Sequence, residues 1–311
     1  MIVTLTLNPA IDRYVKVKQI SRIDVTRVLE VRKDPAGKGI NVSKVIKKLG
    51  GKSIATGFIG GTNGEFILNK LADLKIENDF IKVQGETREN IKIHEVEIDN
   101  FLEINESGPF IEDFSVNALF DKLDELLNVG DTLVLSGSIP KGVPVDIYSK
   151  IITNAKRKGV MTVLDTSLIL LKESLNAKPD IIKPNLYELE EFCGKTLNDD
   201  TDIIIEARKI VNIGINEVIV SLGKDGILYI SDDVVFKVSV PTVKIESTVG
   251  AGDSFVGGLC FAYDNDYDLE EKLLFAASVA TASVMTPGTN PGSIDEVNEI
   301  LKNTKIKEVL I

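Results

Sequence analysis

The sequence contains no tryptophan, a single histidine and only two cysteines, and each shortage removes a class of chemistry. Cys193 and Cys260 lie far apart without C-x-x-C spacing, which argues against a disulfide framework or a zinc site and suits a reducing cytoplasm. The lone histidine, His94, stands in the mixed stretch "IKIHEVEID". His-rich metal sites are excluded, and a His-dependent triad would hang on this one residue. Long apolar runs are missing too, since nowhere do about 18 such residues follow one another. The opening "MIVTLTLNPA" has neither a basic n-region nor a cleavage site, so no secretory leader and no membrane span are expected. Basic charge is also scarce: 36 Lys and Arg against 47 Asp and Glu leave a formal charge of -11. That balance disfavours nucleic acid and anionic membranes as partners, and an anionic small ligand would need a local basic cluster.

Two nucleotide signatures are absent as well. There is no G-x-x-x-x-G-K-S/T, and no G-x-G-x-x-G follows a strand, which removes the main support for a P-loop enzyme or a dinucleotide-binding dehydrogenase.

What is present is a regular alternation. Short β-branched runs, "IVTLTLN", "KSIATGFI", "DTLVLSG", "MTVLDTS", "DIIKPN" and "NEVIVSLG", are separated by segments whose apolar residues recur three and four apart. This pattern predicts an α/β fold with a mostly parallel sheet between helices. Residues 11–32 and 88–108 break it, because polar and apolar residues alternate there with no helix between. Alternation implies one covered and one wet face. These two excursions are expected to form a small separate sheet, placed to act as a lid.

In open α/β sheets ligands bind beyond the carboxyl ends of the strands, and here those positions carry "NPAID", "SGSIP", "KPNLYELEE" and "SLGKDG". Any one of them reads equally well as an ordinary turn. In "ESTVGAGDSFVGG" the backbone of Gly250, Ala251 and Gly252 could stabilise charge on a transferred phosphoryl group. Asp253, in the first turn of the helix that follows, could then accept a proton; the same carboxylate could equally be a helix cap. Asn185 and Glu188 are three apart at a helix start, suited to water-mediated Mg²⁺ or to a capping box. In "DPAGKGINVSKVIKKLGG", Gly37 and Gly39 bracket Lys38 ahead of Asn41. That stretch is either a ligand-binding loop or a glycine-rich turn with a solvated lysine.

Taken together and in this order, these motifs resemble the PfkB branch of the ribokinase-like sugar kinases over essentially the whole chain, with "GKGIN" and "GAGDSF" the most specific. The resemblance implies a single ribokinase-like kinase domain over residues 1–311, with a three-layer α/β/α core and a β-sheet lid. It implies ATP and Mg²⁺ as cofactors, with a monovalent cation such as K⁺ in addition. Asp253 would be the catalytic base and Gly250, Ala251 and Gly252 the anion hole. Lys183, Asn185, Glu188, Ser221, Gly223 and Gly226 would line the nucleotide and magnesium site, and Asp12, Gly37, Lys38 and Asn41 would hold sugar hydroxyls. Within the family, "GETRENIKI" and "LEINESGP" are most similar to enzymes that phosphorylate fructose 1-phosphate at its 6-hydroxyl; tagatose 6-phosphate or fructose 6-phosphate is the alternative substrate, and a non-catalytic sugar-phosphate sensor the distant alternative. A sugar phosphate favours arginine, whose planar fork binds phosphate oxygens in pairs; Arg88 and Arg27 are the candidates, supported by Lys38 and Ser138. Ala36 departs from the family's frequent G-G-K-G run, which affects fine positioning. A homodimer through the lid is expected, because an open sheet with exposed edges can pair with a second copy.

Overall fold

The computed structural model describes residues 1–166 and 168–310. Its main sheet is built from the expected apolar runs. In spatial order the strands are Lys305–Glu308, Val235–Ser239, Ile227–Ile230, Glu217–Ser221, Ile181–Ile182, Met161–Asp165, Thr132–Ser136, Ile2–Thr6, Ser53–Ile59 and Glu77–Asn78, with Ile81–Lys82 also paired to Ser53–Ile59. From Glu217–Ser221 to Glu77–Asn78 all neighbours are parallel. The three strands at the other edge are antiparallel and were not anticipated, because "GILYI" and "VFKVS" follow turns that also suit a loop.

Alternate residues of each parallel strand feed opposite layers. Leu133, Leu135, Leu164, Val218 and Val220 pack with Leu119, Ile151 and Ile204 of the helices Asp113–Leu126, Ile147–Arg157 and Asp200–Val211. Val134, Val163 and Ile219 face the other way, onto Val42, Val256, Leu259 and Ala276 of the helices Lys38–Lys48, Ala251–Asp264 and Leu269–Ser283. Both faces are covered, which is why these strands read as unbroken apolar runs. Truncating a core side chain such as Leu135, which is fully buried, to alanine costs about 2–5 kcal/mol.

The two excursions form one separate four-stranded sheet, ordered Val28–Ala36, Ala10–Val17, Arg88–Glu95, Asn100–Asn105. Its first strand runs on to Ala36 rather than ending near residue 32. Pro35 is accommodated because the strand is an edge, where a missing N–H breaks no ladder. "DPA" is therefore strand rather than turn, and the lid leads directly through Gly37 into the helix Lys38–Lys48.

The parallel strands converge on one side. Asn8 follows Ile2–Thr6, Gly137 and Ser138 follow Thr132–Ser136, Asp165 ends Met161–Asp165, Lys183 follows Ile181–Ile182 and Ser221 ends Glu217–Ser221. All lie at the carboxyl edge, beneath the lid's point of attachment.

Candidate active site

Asp253 enters the site from the first turn of the helix Ala251–Asp264. The residue that begins this helix is Gly250, in the left-handed region (φ 83°, ψ 0°) and with no side-chain cap. Asp253 is therefore not a cap. Its Oδ2 instead accepts a hydrogen bond from Asn41 Nδ2 at 2.8 Å. Burial pushes its carboxyl up to about 6, with Asp165 adding to the rise and Lys38, Asn41 and Lys183 opposing it. Among the described residues the amides of Gly250 and Gly252 have no protein acceptor, and that of Ala251 makes only a long contact of 3.4 Å to Thr248 O. A helix start with open amides and positive dipole is suited to anion binding.

Three charges meet beside it. Asp165, 1% exposed, receives Lys38 Nζ on Oδ1 at 2.9 Å and Lys183 Nζ on the same oxygen at 3.6 Å. Burial works against the Asp165 carboxylate, but Lys183 and Lys38 outweigh it and hold its pKa below the ordinary value. Burial likewise works against the charge on Lys38, and Asp165, Asp253 and Glu188 more than restore it, so this ammonium stays protonated. Lys183 also lies over the helix start, where a methyl group on Gly252 would come 3.1 Å from its Nζ. The lysines thus stand between a buried acid and the open amides.

The glycines of "GKGIN" are there for close approach. Gly37 adopts φ 124°, and a Cβ on Gly39 would meet Thr6 Oγ1 at 2.6 Å and Leu5 O at 2.9 Å. Lys38 is thereby pressed against the end of the first strand.

Toward the small sheet, Asp12 is buried and held by Lys92 Nζ at 2.7 Å and Asn90 Nδ2 at 3.1 Å. Arg88 donates through Nε and Nη2 to Asn8 O and through Nη1 to Glu106 O. Ser138 Oγ accepts from Asn8 Nδ2 at 3.4 Å. A cleft of about 300 Å³ opens between Thr6, Asn8, Lys38, Arg88, Ser138 and Glu188. Among the described residues the Thr6 Oγ1, Asn8 Oδ1 and Ser136 Oγ atoms at this cleft have no partner, and buried polar groups without partners favour a polar ligand. A larger cleft of about 670 Å³ lies between residues 83–86 and 106–115. Its charged side chains are Glu86, Glu106 and Glu112, so it does not suit a phosphate.

Asn185 and Glu188 form the capping box: Asn185 Oδ1 accepts from Glu188 N at 2.8 Å and Glu188 Oε2 from Asn185 N at 2.9 Å. Glu188 nevertheless reaches the small cleft, and its other oxygen stays uncommitted. No cluster of three or more metal-ligating side chains occurs among the described residues. With the Oδ2 of Asp165, unpartnered among the described residues, this donor set fits a largely hydrated divalent ion rather than a protein-caged one. Ser221 bridges to Asn185. Gly223 opens a short turn, and Gly226 lies so close to Val238 O that a Cβ would sit 1.9 Å from it.

Arg27 is not brought to these residues. It is exposed, ahead of Val28, which pairs with Val17 at the lid's outer end, whereas Asp12 and Asp34 pair at the inner end. Asn41 has its polar atoms engaged by Asp253 and by Lys44 Nζ. Asp165, Lys44, Asn8, Asn90 and Lys92 were missed from sequence. Asp165 had a usable signal, an acid ending an apolar strand on the ligand side; Lys44 had one in its spacing of three from Asn41 on one helix face.

Residues 3–296 match the model of the pfkB family carbohydrate kinases. The chain is 36% identical over 310 residues to the 1-phosphofructokinase of Borreliella burgdorferi, covering 99% of each. Among solved structures it is similar to Escherichia coli phosphofructokinase-2 in complex with substrates and products, with TM-score 0.92 and 31% identity over 97% of this chain and 98% of that one. The structure of that enzyme in complex with potassium matches with the same TM-score, identity and coverage. Family match, whole-chain identity and fold agree: the chain belongs to the pfkB family of carbohydrate kinases.

Proposed function

We propose that the chain transfers the γ-phosphoryl group of MgATP to the 6-hydroxyl of fructose 1-phosphate, giving fructose 1,6-bisphosphate and ADP, with Asp253 as general base. The observation that carries this reading is the position of Asp253: a carboxylate that burial pushes up to about 6, one residue behind amides that have no strong acceptor. A base of that pKa is ionised at neutral pH yet can take a proton as the hydroxyl attacks. The amides of Gly250, Ala251 and Gly252, with Lys183 and Lys38, stabilise charge on the moving phosphoryl group, and phosphoryl transfer depends chiefly on such positioning and electrostatics. Glu188 and Asp165 would hold a hydrated Mg²⁺, whose charge would offset that of the phosphates. Ser221, Gly223 and Gly226 lie along the nucleotide side.

Arg88 binds the sugar phosphate in this reading, exchanging its carbonyl acceptors for phosphate oxygens, and Asp12 orients a sugar hydroxyl. Support for fructose 1-phosphate comes from the likeness to the Borreliella burgdorferi enzyme and from a cleft that pairs Arg88 with Lys38. Relative kcat/KM for fructose 1-phosphate, tagatose 6-phosphate and fructose 6-phosphate tests it. Fructose 1-phosphate should lead, and a higher value for either 6-phosphate overturns the substrate assignment while leaving the chemistry in place.

The lid supports pairing of two copies. Val31, Val15, Ile93 and Leu102 lie side by side across its four strands, hence on one face, and Val31 and Leu102 are exposed at 48% and 43%. Ile104 continues this apolar face and is also exposed. A second lid would cover it, and Arg27 at the outer end would then have a partner chain to address. Activation by K⁺ is part of the same reading, on the likeness to the potassium complex of phosphofructokinase-2, and the enzyme is expected to work in the cytoplasm.

A further inference from the structure

Lys44 is a buried cation that the mechanism above does not use. It lies on the helix Lys38–Lys48, three residues after Asn41, and is 8% exposed. Its Nζ donates to Asn41 Oδ1 at 3.1 Å, to Thr289 Oγ1 at 3.0 Å and to Pro35 O at 3.4 Å. Three donors thus meet three acceptors, from the catalytic side, from the residue lying against Gly250 and from the inner end of the lid.

An ammonium has donors and no acceptor. Whichever end of the Asn41 carboxamide it faces must therefore be the oxygen, and the amide nitrogen is turned toward Asp253 Oδ2, 2.8 Å away. We infer that Lys44 is a positioning residue, which fixes the Asn41 carboxamide so that Asp253 is offered a donor and kept in its ionised, proton-accepting form. The inference rests on the reading of Asp253 as the base. With the amide reversed, its oxygen would face the carboxyl, and only a protonated carboxyl can bond to it. Hydrogen bonding to the neutral form raises a pKa, and the base would be held in its spent state.

The surrounding charges make this orientation matter. Burial already pushes Asp253 up to about 6, Asp165 adds to the rise, and Lys38, Asn41 and Lys183 hold it down. Little margin remains below neutral pH, so the loss of one donor is felt. Burial lowers Lys44 to about 8, Asp34, Asp12 and Asp253 oppose that fall, and Lys92 reinforces it. Lys44 therefore still carries its proton at neutral pH, where the constraint is needed.

The test is the pH dependence of kcat/KM for the intact enzyme carrying Lys44→Met or Lys44→Arg, with Asp253→Asn as the control on the base. Lys44→Met should move the acid limb upward by about one pH unit, so that its deficit against wild type is about fivefold larger near pH 6 than near pH 8.5. Lys44→Arg, which is also only a donor, should keep the wild-type limb. A purely structural lysine would lower activity by one factor at every pH, and that result, or no loss at all, overturns the inference. Should Lys44→Met not fold, as judged by its melting curve, Lys44→Gln carries the same test, since its amide can accept as well as donate and no longer dictates the orientation. An inactive Asp253→Asn with a flat Lys44→Met deficit removes the Lys44 role alone, whereas an active Asp253→Asn removes the base and this role together.

Discussion

Asn41 and Asp253, 212 residues apart in sequence, are joined by a buried hydrogen bond of 2.8 Å. It ties the helix that begins at "GKGIN" to the helix that begins at "GAGDSF", so the two glycine-rich loops are held as one unit. Their glycines are part of that unit. Gly39→Ala places a methyl group 2.6 Å from Thr6 Oγ1 and 2.9 Å from Leu5 O, and the helix start must shift to admit it. Such overpacking is expected to cost about 1–3 kcal/mol, with kcat falling further than the melting temperature suggests because Lys38 and Asn41 move together. Wild-type kcat in a stably folded Gly39→Ala variant would contradict the close-approach account.

Among the described residues Arg88 donates only to carbonyl oxygens, acceptors it can exchange for phosphate oxygens. Arg88→Ala should raise KM for the sugar phosphate about a hundredfold while kcat changes only a few-fold, as expected for a group that binds ground and transition state alike. Arg88→Lys should recover little of the loss, since the planar fork is what pairs phosphate oxygens. Steady-state kinetics in the sugar phosphate checks this, and an unchanged KM rules out the assignment.

Much of this architecture was legible in the sequence. The parallel sheet showed itself because strands covered on both faces are continuous apolar runs, and the lid because its strands, with one wet face, alternate. The antiparallel edge did not, since residues 227–239 and 305–308 are short strands whose pairing depends on partners distant in sequence. Asp253 was found by its motif, but excluding the helix-cap reading needed the backbone of Gly250. Asn185 and Glu188 turned out to realise the capping box, one of the two readings their spacing allowed, and Glu188 still reaches the cleft. Asp165 and Lys44 escaped notice because their meaning lies in burial and in who faces them, which no local pattern encodes.

The lid's apolar face predicts association. Light scattering should give the mass of two chains, and Leu102→Asp, which sets a charge among Val31, Ile93 and Ile104, should shift the protein toward monomer without lowering its melting temperature by more than a few degrees. A wild-type monomer at micromolar concentration would remove the lid-paired dimer.

Glu206 predicts a stability effect far from the site. Hydrogen bonds from Lys195 and Lys209, at 2.7 and 2.8 Å, hold its carboxyl at about 2, below the ordinary 4.5. A depressed carboxyl contributes stability that is fully present above about 4.5 and lost as the pH falls toward about 2. With both lysines largely exposed, solvent screening reduces the effect to about 1 kcal/mol. Glu206→Gln should thus melt a few degrees lower at neutral pH, with the difference shrinking as acid is added. An equal difference at every pH would show that the loss came from packing.

The central claim, that Asp253 takes the proton from the sugar hydroxyl, is tested most directly by ADP release from Asp253→Asn with fructose 1-phosphate and MgATP. The variant should melt as the wild type does, and turnover should fall by about 10²–10⁴-fold, the range a general base supplies. In the wild type, kcat/KM should decline as the pH drops below about 6, where the Asp253 carboxyl gains its proton. Turnover of Asp253→Asn within about tenfold of wild type would contradict the account, because no amide in that position can serve as the base.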